Sequence, residues 1–182
     1  MIIKRPTNKI KVVLLGSTPL CIFAYKILLK SPNVQIVGLV TQKPNKNAFW
    51  KNDPFFLPKV KKLRFNKLEN INFDLGISIN WTRKIHDNLL KLPKYGFINV
   101  HNSYKNIIKG RNIATHSILL HSKFKKSFYG STLHFMTNKI DDGKIIDTKK
   151  VNISIRDNSW SLYKKGLKAY EDIIIKNLIN LR

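Results

Sequence analysis

The chain has 182 residues, of which 43% are hydrophobic and 24% are charged, and these values predict one globular domain. No apolar run reaches the length that a membrane span requires, and the run at residues 12–15 is too short for the core of a signal peptide. The single cysteine, Cys21, cannot form a disulfide within the chain. We therefore expect a reducing, cytoplasmic setting without a membrane partner.

The net charge of +24 comes from 34 Lys and Arg residues against 10 Asp and Glu residues. Such an excess favours an anionic partner, such as nucleic acid, a nucleotide or an anionic membrane surface. Only six of the basic residues are arginine, however, and the chain is rich in Lys, Asn and Ile, which AT-rich codons favour. Because the lysines are scattered along the chain, we prefer codon bias to nucleic-acid binding as the explanation.

Strands and helices alternate from the start of the chain. Residues 11–17 form an apolar run that ends in a small turn, which predicts a first strand. Residues 18–31 have apolar side chains at helical spacing, with Ser17 or Thr18 as the N-cap, and residues 34–41 predict a second buried strand. This β-α-β order indicates a parallel sheet with right-handed crossovers.

The remainder of the chain continues the pattern after a loop at residues 42–58 that is rich in Lys, Asn and Pro. Further strands are predicted at residues 75–80, 96–100, 130–136 and 144–153, and further helices at residues 82–92, 112–122 and 159–181. The sequence thus predicts an α/β protein with a mainly parallel central sheet and helices on both faces. We expect residues 1–182 to form a single catalytic domain.

The turn after the first predicted strand resembles the start of a nucleotide-binding α/β fold. Its residues, 16–19 (Gly-Ser-Thr-Pro), lack the three glycines of a dinucleotide fingerprint and the Gly-Lys-Ser/Thr of a phosphate loop. NAD and ATP are therefore not expected as ligands.

Three polar residues fall where predicted strands end, namely Asn99, His101 and Asp141. Singly, each has an ordinary explanation as a turn cap, a loop histidine or part of a turn. Together they supply the groups needed to move an acyl unit onto an amine. The amide can hold a developing oxyanion, the imidazole can move a proton, and the carboxylate can orient or charge the imidazole.

These residues and their surroundings resemble the folate-dependent formyltransferases, which include glycinamide ribonucleotide transformylase, methionyl-tRNA formyltransferase and the sugar-nucleotide N-formyltransferases. The segments that carry the resemblance are 99–103 (Asn-Val-His-Asn-Ser), 109–112 (Lys-Gly-Arg-Asn), 129–136 (Tyr-Gly-Ser-Thr-Leu-His-Phe-Met) and 140–146 (Ile-Asp-Asp-Gly-Lys-Ile-Ile). Their order and approximate spacing hold over residues 11–153. The resemblance implies a Rossmann-like formyltransferase fold.

The resemblance also implies catalytic roles at the matched positions. Asn99 would donate to the oxyanion that forms when an amine attacks the formyl carbon. His101 would stabilise charge or pass a proton, and Asp141 would pair with His101 and help to take the proton from the amine. No metal is expected, because the histidines lack the spacing of a zinc site with Cys or acidic partners.

The co-substrate implied by the resemblance is N10-formyltetrahydrofolate. In these families the pterin lies against the loop after the third strand and the loop before the catalytic aspartate, which here contribute Trp81, Arg83, Ile85, Met136, Thr137, Lys139 and Ile140. Core packing explains Trp81 and Ile85 equally well. The substrate-binding residues implied are Ser103, Lys109, Gly110 and Arg111. The family usually has Ser-Leu-Leu-Pro where this chain has Ser-Tyr-Lys-Asn at residues 103–106.

The acceptor amine is predicted to belong to a nucleotide-linked amino sugar, a dTDP-3- or 4-amino-dideoxy sugar. The region around Ser103 and the segment 159–165 resemble the sugar-nucleotide branch, and lysines near the site would suit a diphosphate. Methionyl-tRNA is the alternative acceptor, although we expect no C-terminal barrel domain of the kind that helps methionyl-tRNA formyltransferase to hold tRNA.

Other functions stay open from the sequence. One is another formyl-folate-dependent transferase, or a hydrolase that uses the same three residues with water as the nucleophile. Another is an inactive, basic RNA-binding relative, against which the intact set of Asn99, His101 and Asp141 argues. A homodimer formed through the closing helix is also left open.

Overall fold

The computed structural model describes residues 9–16, 18–41, 62–179 and 181, so that Ser17 and the predicted loop at residues 42–58 lie outside the described residues. The strands are β1 (Ile10–Gly16), β2 (Val34–Val40), β3 (Lys62–Leu63), β4 (Leu75–Ile79), β5 (Phe97–Ser103), β6 (Tyr129–Phe135) and β7 (Ile145–Lys150). The helices are α1 (Pro19–Lys30), α2 (Asp87–Leu90), α3 (Ile113–Phe124) and α4 (Ser159–Leu178).

The strands form one sheet in the order β3-β2-β1-β4-β5-β6-β7. The pairs from β3 to β5 are parallel, whereas β5-β6 and β6-β7 are antiparallel. The prediction of a mainly parallel α/β sheet is therefore confirmed. The chain runs outward from β1 to β3 and returns to β4 on the other side of β1. An open α/β sheet binds its ligands at the carboxyl ends of the strands near such a reversal.

The central parallel strands β1 and β4 are buried on both faces of the sheet. In β1, Val12 and Leu14 pack with α1 and α4 on one face, while Val13 and Leu15 pack on the opposite face. The second face is covered by α2 and by a 3₁₀ helix at Phe65–Asn70. A strand that is buried on both faces needs apolar residues at every position, which explains the continuous apolar run in the sequence.

The helix predicted at residues 82–92 is wrong in extent, because only Asp87–Leu90 is helical. Asn80 has a left-handed backbone with φ of 53°, and the chain is irregular or extended from there to His86. Ile85 is buried against the sheet, which holds the segment in this path. The helix begins where the carboxylate of Asp87 can favour the first turn, and Pro93 follows its end.

The closing helix α4 is fastened at its start and in its middle. Asn158 Oδ1 accepts hydrogen bonds from the backbone N–H groups of Trp160 and Ser161, and Ser161 Oγ accepts one from Asn158 N, which forms a capping box. Further along, the buried Tyr170 hydroxyl donates to the carbonyl of Val100 at 2.8 Å. This bond ties α4 to β5 between Asn99 and His101. None of the described helices is long and apolar enough to cross a bilayer.

Candidate functional site

Strand β5 carries two of the predicted catalytic residues. Asn99 and His101 are two positions apart in the strand, so that they point to the same face of the sheet, and both are half-buried. Val100, between them, points to the opposite face and is buried in the core against α4. The strand thus presents an amide and an imidazole side by side on a fixed backbone.

Asp141 reaches these residues from the loop between β6 and β7. Its backbone is left-handed, with φ of 48°, a conformation that Asp tolerates better than most residues. Gly143 allows the loop to approach β6, because a side chain there would clash with the carbonyl oxygen of Phe135. The Asp-Asp-Gly sequence therefore suits this turn and places the first carboxylate over β5.

His101 and Asp141 are brought together by the fold. His101 Nε2 lies 3.4 Å from Asp141 Oδ2 and 3.0 Å from the carbonyl oxygen of Ile108, and each of the two side chains is only 11% exposed. Both neighbouring oxygens are acceptors, so the ring carries its hydrogen on Nε2. The backbone N–H of Gly110 donates to Asp141 Oδ2 at 3.0 Å, which holds the carboxylate in place.

A second histidine, His134 in β6, completes this cluster and was assigned no role from the sequence. Its Nε2 lies 3.3 Å from Asn99 Nδ2 and 3.8 Å from Asp141 Oδ1, and its Nδ1 lies 2.8 Å from the carbonyl oxygen of Phe135. Because that carbonyl can only accept, Nδ1 carries the hydrogen and Nε2 accepts from the Asn99 amide. Burial lowers the pKa of His134, which favours this neutral form.

His134 therefore fixes the orientation of the Asn99 amide. One N–H of Asn99 Nδ2 is directed to the ring, and the other has no hydrogen-bond partner among the described residues, so that it can donate to a bound molecule. The sequence contained one signal for this contact, since His134 lies in a predicted strand of the resembling region. The register that places His134 opposite Asn99 depends on antiparallel pairing between strands far apart in the chain.

The loop after β5 closes over the cluster. Ser103 is fully buried, and its hydroxyl accepts from the N–H of Ile108 at 2.9 Å, which turns the Ile108 carbonyl toward His101. Ser103 is one of the four residues predicted to bind substrate, and in the structure its buried hydroxyl stabilises the loop after β5. Lys109 forms an ion pair with Asp142 and lowers the pKa of that carboxyl. Gly110 contacts Asp141, and Arg111 is exposed.

The same loop contains two consecutive left-handed residues, Lys105 with φ of 53° and Asn106 with φ of 52°. Proline fixes φ near about −65° and cannot adopt this conformation. The family usually has Ser-Leu-Leu-Pro at the positions of residues 103–106. Proline could not adopt the backbone conformation that Asn106 has here, so the difference in sequence is accompanied by a difference in loop conformation. The Asn106 side chain is buried, and its amide atoms have no hydrogen-bond partner within the described segments.

A cavity of about 450 Å³ contains two of the residues predicted to bind folate. Trp81 and Arg83 line it together with Arg64 and Phe65, and the rings of Phe65 and Trp81 lie 5.3 Å apart. The indole Nε1 of Trp81 is buried without a hydrogen-bond partner in the part of the chain that the structure describes. The cavity thus combines aromatic surface with two guanidinium groups. Arg64 was not identified from the sequence.

The remaining predicted folate residues fall into two groups. Ile85 is buried in the core, and Met136 is half-buried against the same apolar cluster with its N–H bonded to the carbonyl of Phe97. The others lie in the exposed loop that leads to Asp141, namely Thr137, Lys139 and Ile140. Over residues 9–16, 18–41 and 62–179, no group of three or more His, Cys, Asp or Glu side chains is arranged to hold a metal ion.

The sequence is similar to that of known formyltransferases. A family model described as "Formyl transferase" matches residues 10–178. The bifunctional polymyxin resistance protein ArnA of Wigglesworthia glossinidia brevipalpis is 34% identical over 69% of this chain and 19% of its own length. Methionyl-tRNA formyltransferase of Malacoplasma penetrans is 27% identical over 92% of this chain and 56% of its own length. The chain thus spans about half the length of the methionyl-tRNA formyltransferase and about a fifth of the length of ArnA.

Solved structures share the fold. An N-formyltransferase from Helicobacter canadensis, in complex with folinic acid and dTDP-3-aminofucose, superposes with a TM-score of 0.75 at 24% identity. The match covers 93% of this chain and 62% of that one. The phosphoribosylglycinamide formyltransferase of Anaplasma phagocytophilum superposes with a TM-score of 0.72 at 18% identity, over 94% of this chain and 86% of that one.

Proposed function

Because the chain belongs to the formyl transferase family, we propose that it transfers a formyl group from N10-formyltetrahydrofolate to a primary amine. The observation that carries this proposal is the convergence of an oriented amide, an imidazole and a carboxylate at the end of β5. His101 Nε2 lies 3.4 Å from Asp141, and His134 orients the Asn99 amide at 3.3 Å. These groups match the chemistry of acyl transfer to an amine.

The proposed reaction begins with attack of the amine nitrogen on the formyl carbon. The carbonyl oxygen takes the electron pair, and the free N–H of Asn99 donates to the resulting oxyanion. Asp141 and His101 together take the proton that the amine loses and return it to N10 of the folate as the old carbon–nitrogen bond breaks. The products are the N-formylated amine and tetrahydrofolate.

The folate would lie along the cavity that contains Trp81. Its aromatic portions suit the rings of Trp81 and Phe65, and its glutamate carboxylates suit the guanidinium groups of Arg64 and Arg83. The loop at residues 136–140 would border the pterin on the way to Asp141. The Helicobacter canadensis enzyme with the same fold was solved with folinic acid, which supports a folate in this family.

For the acceptor we propose a dTDP-linked amino sugar. Support comes from the same Helicobacter canadensis structure, which also holds dTDP-3-aminofucose and covers 93% of this chain. Methionyl-tRNA is the second candidate, because a methionyl-tRNA formyltransferase is 27% identical over 92% of the chain. The positive charge of +24 would suit either phosphate-bearing acceptor.

A calorimetric titration with 5-formyltetrahydrofolate, first alone and then with a dTDP-3- or 4-amino sugar, tests the proposal. We expect saturable folate binding that tightens when the sugar nucleotide is present. Arg83→Gln should weaken folate binding, whereas Arg156→Gln, which removes an exposed guanidinium outside this cavity, should not. An absence of folate binding, with affinity only for RNA, would contradict the proposal and favour the inactive relative.

The acceptor is identified by a separate arm in which formylation is measured with each candidate amine. Formylation of the sugar nucleotide but not of methionyl-tRNA would support the preferred acceptor. Formylation of methionyl-tRNA alone would replace it with the second candidate and retain the chemistry.

A further inference from the structure

A second cavity, of about 420 Å³, adjoins the loop that contacts His101. We call it the basic cavity, and its lining includes Tyr104, His121, Lys125, Lys126, Lys150 and Asn152. These residues come from the loop after β5, the end of α3, the segment before β6 and the end of β7. Its volume lies within the range of about 300–1,000 Å³ that is typical of ligand pockets.

The lysines of this cavity gather positive charge without a carboxylate to balance it. Lys150 Nζ lies 5.6 Å from the centre of the Tyr104 ring, and Lys105 Nζ lies 5.5 Å from the same point. Several lysines elsewhere in the fold form ion pairs, as Lys149 does with Asp172. No carboxylate in the described part of the chain forms an ion pair with the lysines of the basic cavity.

Unpaired lysines alone carry little information in a chain with 34 basic and 10 acidic residues. Lys125 follows the end of α3, where a cation is also favoured by the helix dipole. That effect does not explain Lys150, which belongs to β7 and converges on the same concavity. What sets this group apart from the other lysines is convergence from separate elements onto a concave surface with an aromatic ring.

A histidine adds a polar group to the lining of this cavity. His121 lines the cavity, and its Nδ1 is buried without a hydrogen-bond partner among the described residues. A buried polar atom of this kind costs stability unless something bonds to it. Its imidazole can donate to a phosphate oxygen or accept from a hydroxyl, and the amide of Asn152 can do the same.

We infer that the basic cavity binds a diphosphate group, either free or as part of a nucleotide. Ammonium groups bind phosphate oxygens through charge-assisted hydrogen bonds, and three lysines around one cavity suit an anion with several separated oxygens. The Tyr104 ring, which lines the cavity, would lie beside a nucleoside attached to the diphosphate. The inference concerns binding alone, so it does not depend on the proposed formyl transfer.

The basic cavity adjoins the loop that contacts the candidate catalytic cluster. Tyr104 and Ile107 line the cavity, and the next carbonyl, that of Ile108, contacts His101 Nε2 at 3.0 Å. One short loop therefore lies between the diphosphate and the imidazole.

The test is a calorimetric titration of the full chain with pyrophosphate and then with dTDP. Lys126→Gln/Lys150→Gln removes two charges from the cavity, and Lys26→Gln/Lys91→Gln removes two exposed charges elsewhere. We expect the cavity variant to raise the Kd for pyrophosphate about tenfold or more, since two charge-assisted bonds are lost, and the control variant to change it less than about twofold. His121→Phe should also weaken binding, because it removes the polar imidazole from the lining of the cavity.

Equal weakening by both lysine pairs would show that the protein attracts polyanions through its net charge, and would overturn the inference. Pyrophosphate binding that is unchanged in the cavity variant would place the anion elsewhere and would also overturn it. Once formylation is measurable, competition between pyrophosphate and the acceptor would show that the basic cavity binds the diphosphate of the acceptor itself. Inhibition by pyrophosphate that excess acceptor does not relieve would show that the cavity binds a different nucleotide.

Discussion

The carboxylate of Asp141 offers the sharpest test of the catalytic geometry. Replacing it in Asp141→Asn keeps the size of the side chain and a residue type that tolerates the left-handed φ of 48°. At the 3.4 Å separation of Asp141 Oδ2 and His101 Nε2, with an effective dielectric constant of about 20, one charge pair is worth about 5 kcal/mol. If His101 is cationic in the transition state, the variant loses that stabilisation.

A loss of about 5 kcal/mol corresponds to a rate lower by about 10³–10⁴-fold, at about 1.4 kcal/mol for each factor of ten. We expect this loss in kcat for formyl transfer, measured as release of tetrahydrofolate, with little change in the KM for the folate. Circular dichroism should show an unchanged fold. The matched control is Glu69→Gln, which removes one exposed carboxylate from the 3₁₀ helix. A folded Asp141→Asn protein that retains more than a tenth of the wild-type rate would show that the Asp141 carboxylate does not stabilise the transition state in this way.

Three further predictions concern stability. Asn106→Gly removes a buried unpartnered amide from a residue with φ of 52°, a conformation that glycine adopts without strain. The variant should be more stable by about 1 kcal/mol, with Tm higher by about 2–4 °C. A lower Tm would show that the amide is hydrogen-bonded in the folded protein. Burial lowers the pKa of His134 below 6.5, so the unfolded chain binds a proton that the folded chain does not, and stability should fall as pH drops below about 6.5. His134→Gln should therefore show a flatter free energy of unfolding between about pH 7 and 5 in urea titrations, and an unchanged slope would contradict this cause. Tyr170→Phe removes the hydrogen bond to Val100 and should cost about 0.5–1.5 kcal/mol in the same assay, so a neutral result would mean that the bond contributes nothing.

The regular parts of the fold followed from the sequence because their burial is periodic. The apolar run of β1 and the helical spacing of α1 and α4 each correspond to an element at nearly the predicted bounds. The prediction of a helix over residues 82–92 was wrong in extent. The burial of Ile85 and the left-handed backbone of Asn80 outweigh a helical pattern that spans only a few residues.

The candidate catalytic cluster was partly predictable from the sequence. Asn99 and His101 are neighbours in one strand, so their proximity follows from strand geometry. The contact of Asn99 with His134 depends on the register between β5 and β6. The approach of Arg64 to Trp81 depends on how separate segments pack, which local patterns do not specify.

The central claim is that Asn99, His101 and Asp141 transfer a formyl group from folate to an amine. It is tested most directly by a single-turnover experiment with N10-formyltetrahydrofolate and a dTDP-amino sugar, in which the mass of the sugar nucleotide is followed. We expect a formylated product with one equivalent of tetrahydrofolate, and about 10²–10³-fold slower formation with Asn99→Ala, since one oxyanion donor is lost. The exposed Asn88→Ala should react like the wild type. Bound folate with no formylated amine, or an Asn99→Ala protein at the wild-type rate, would contradict the claim.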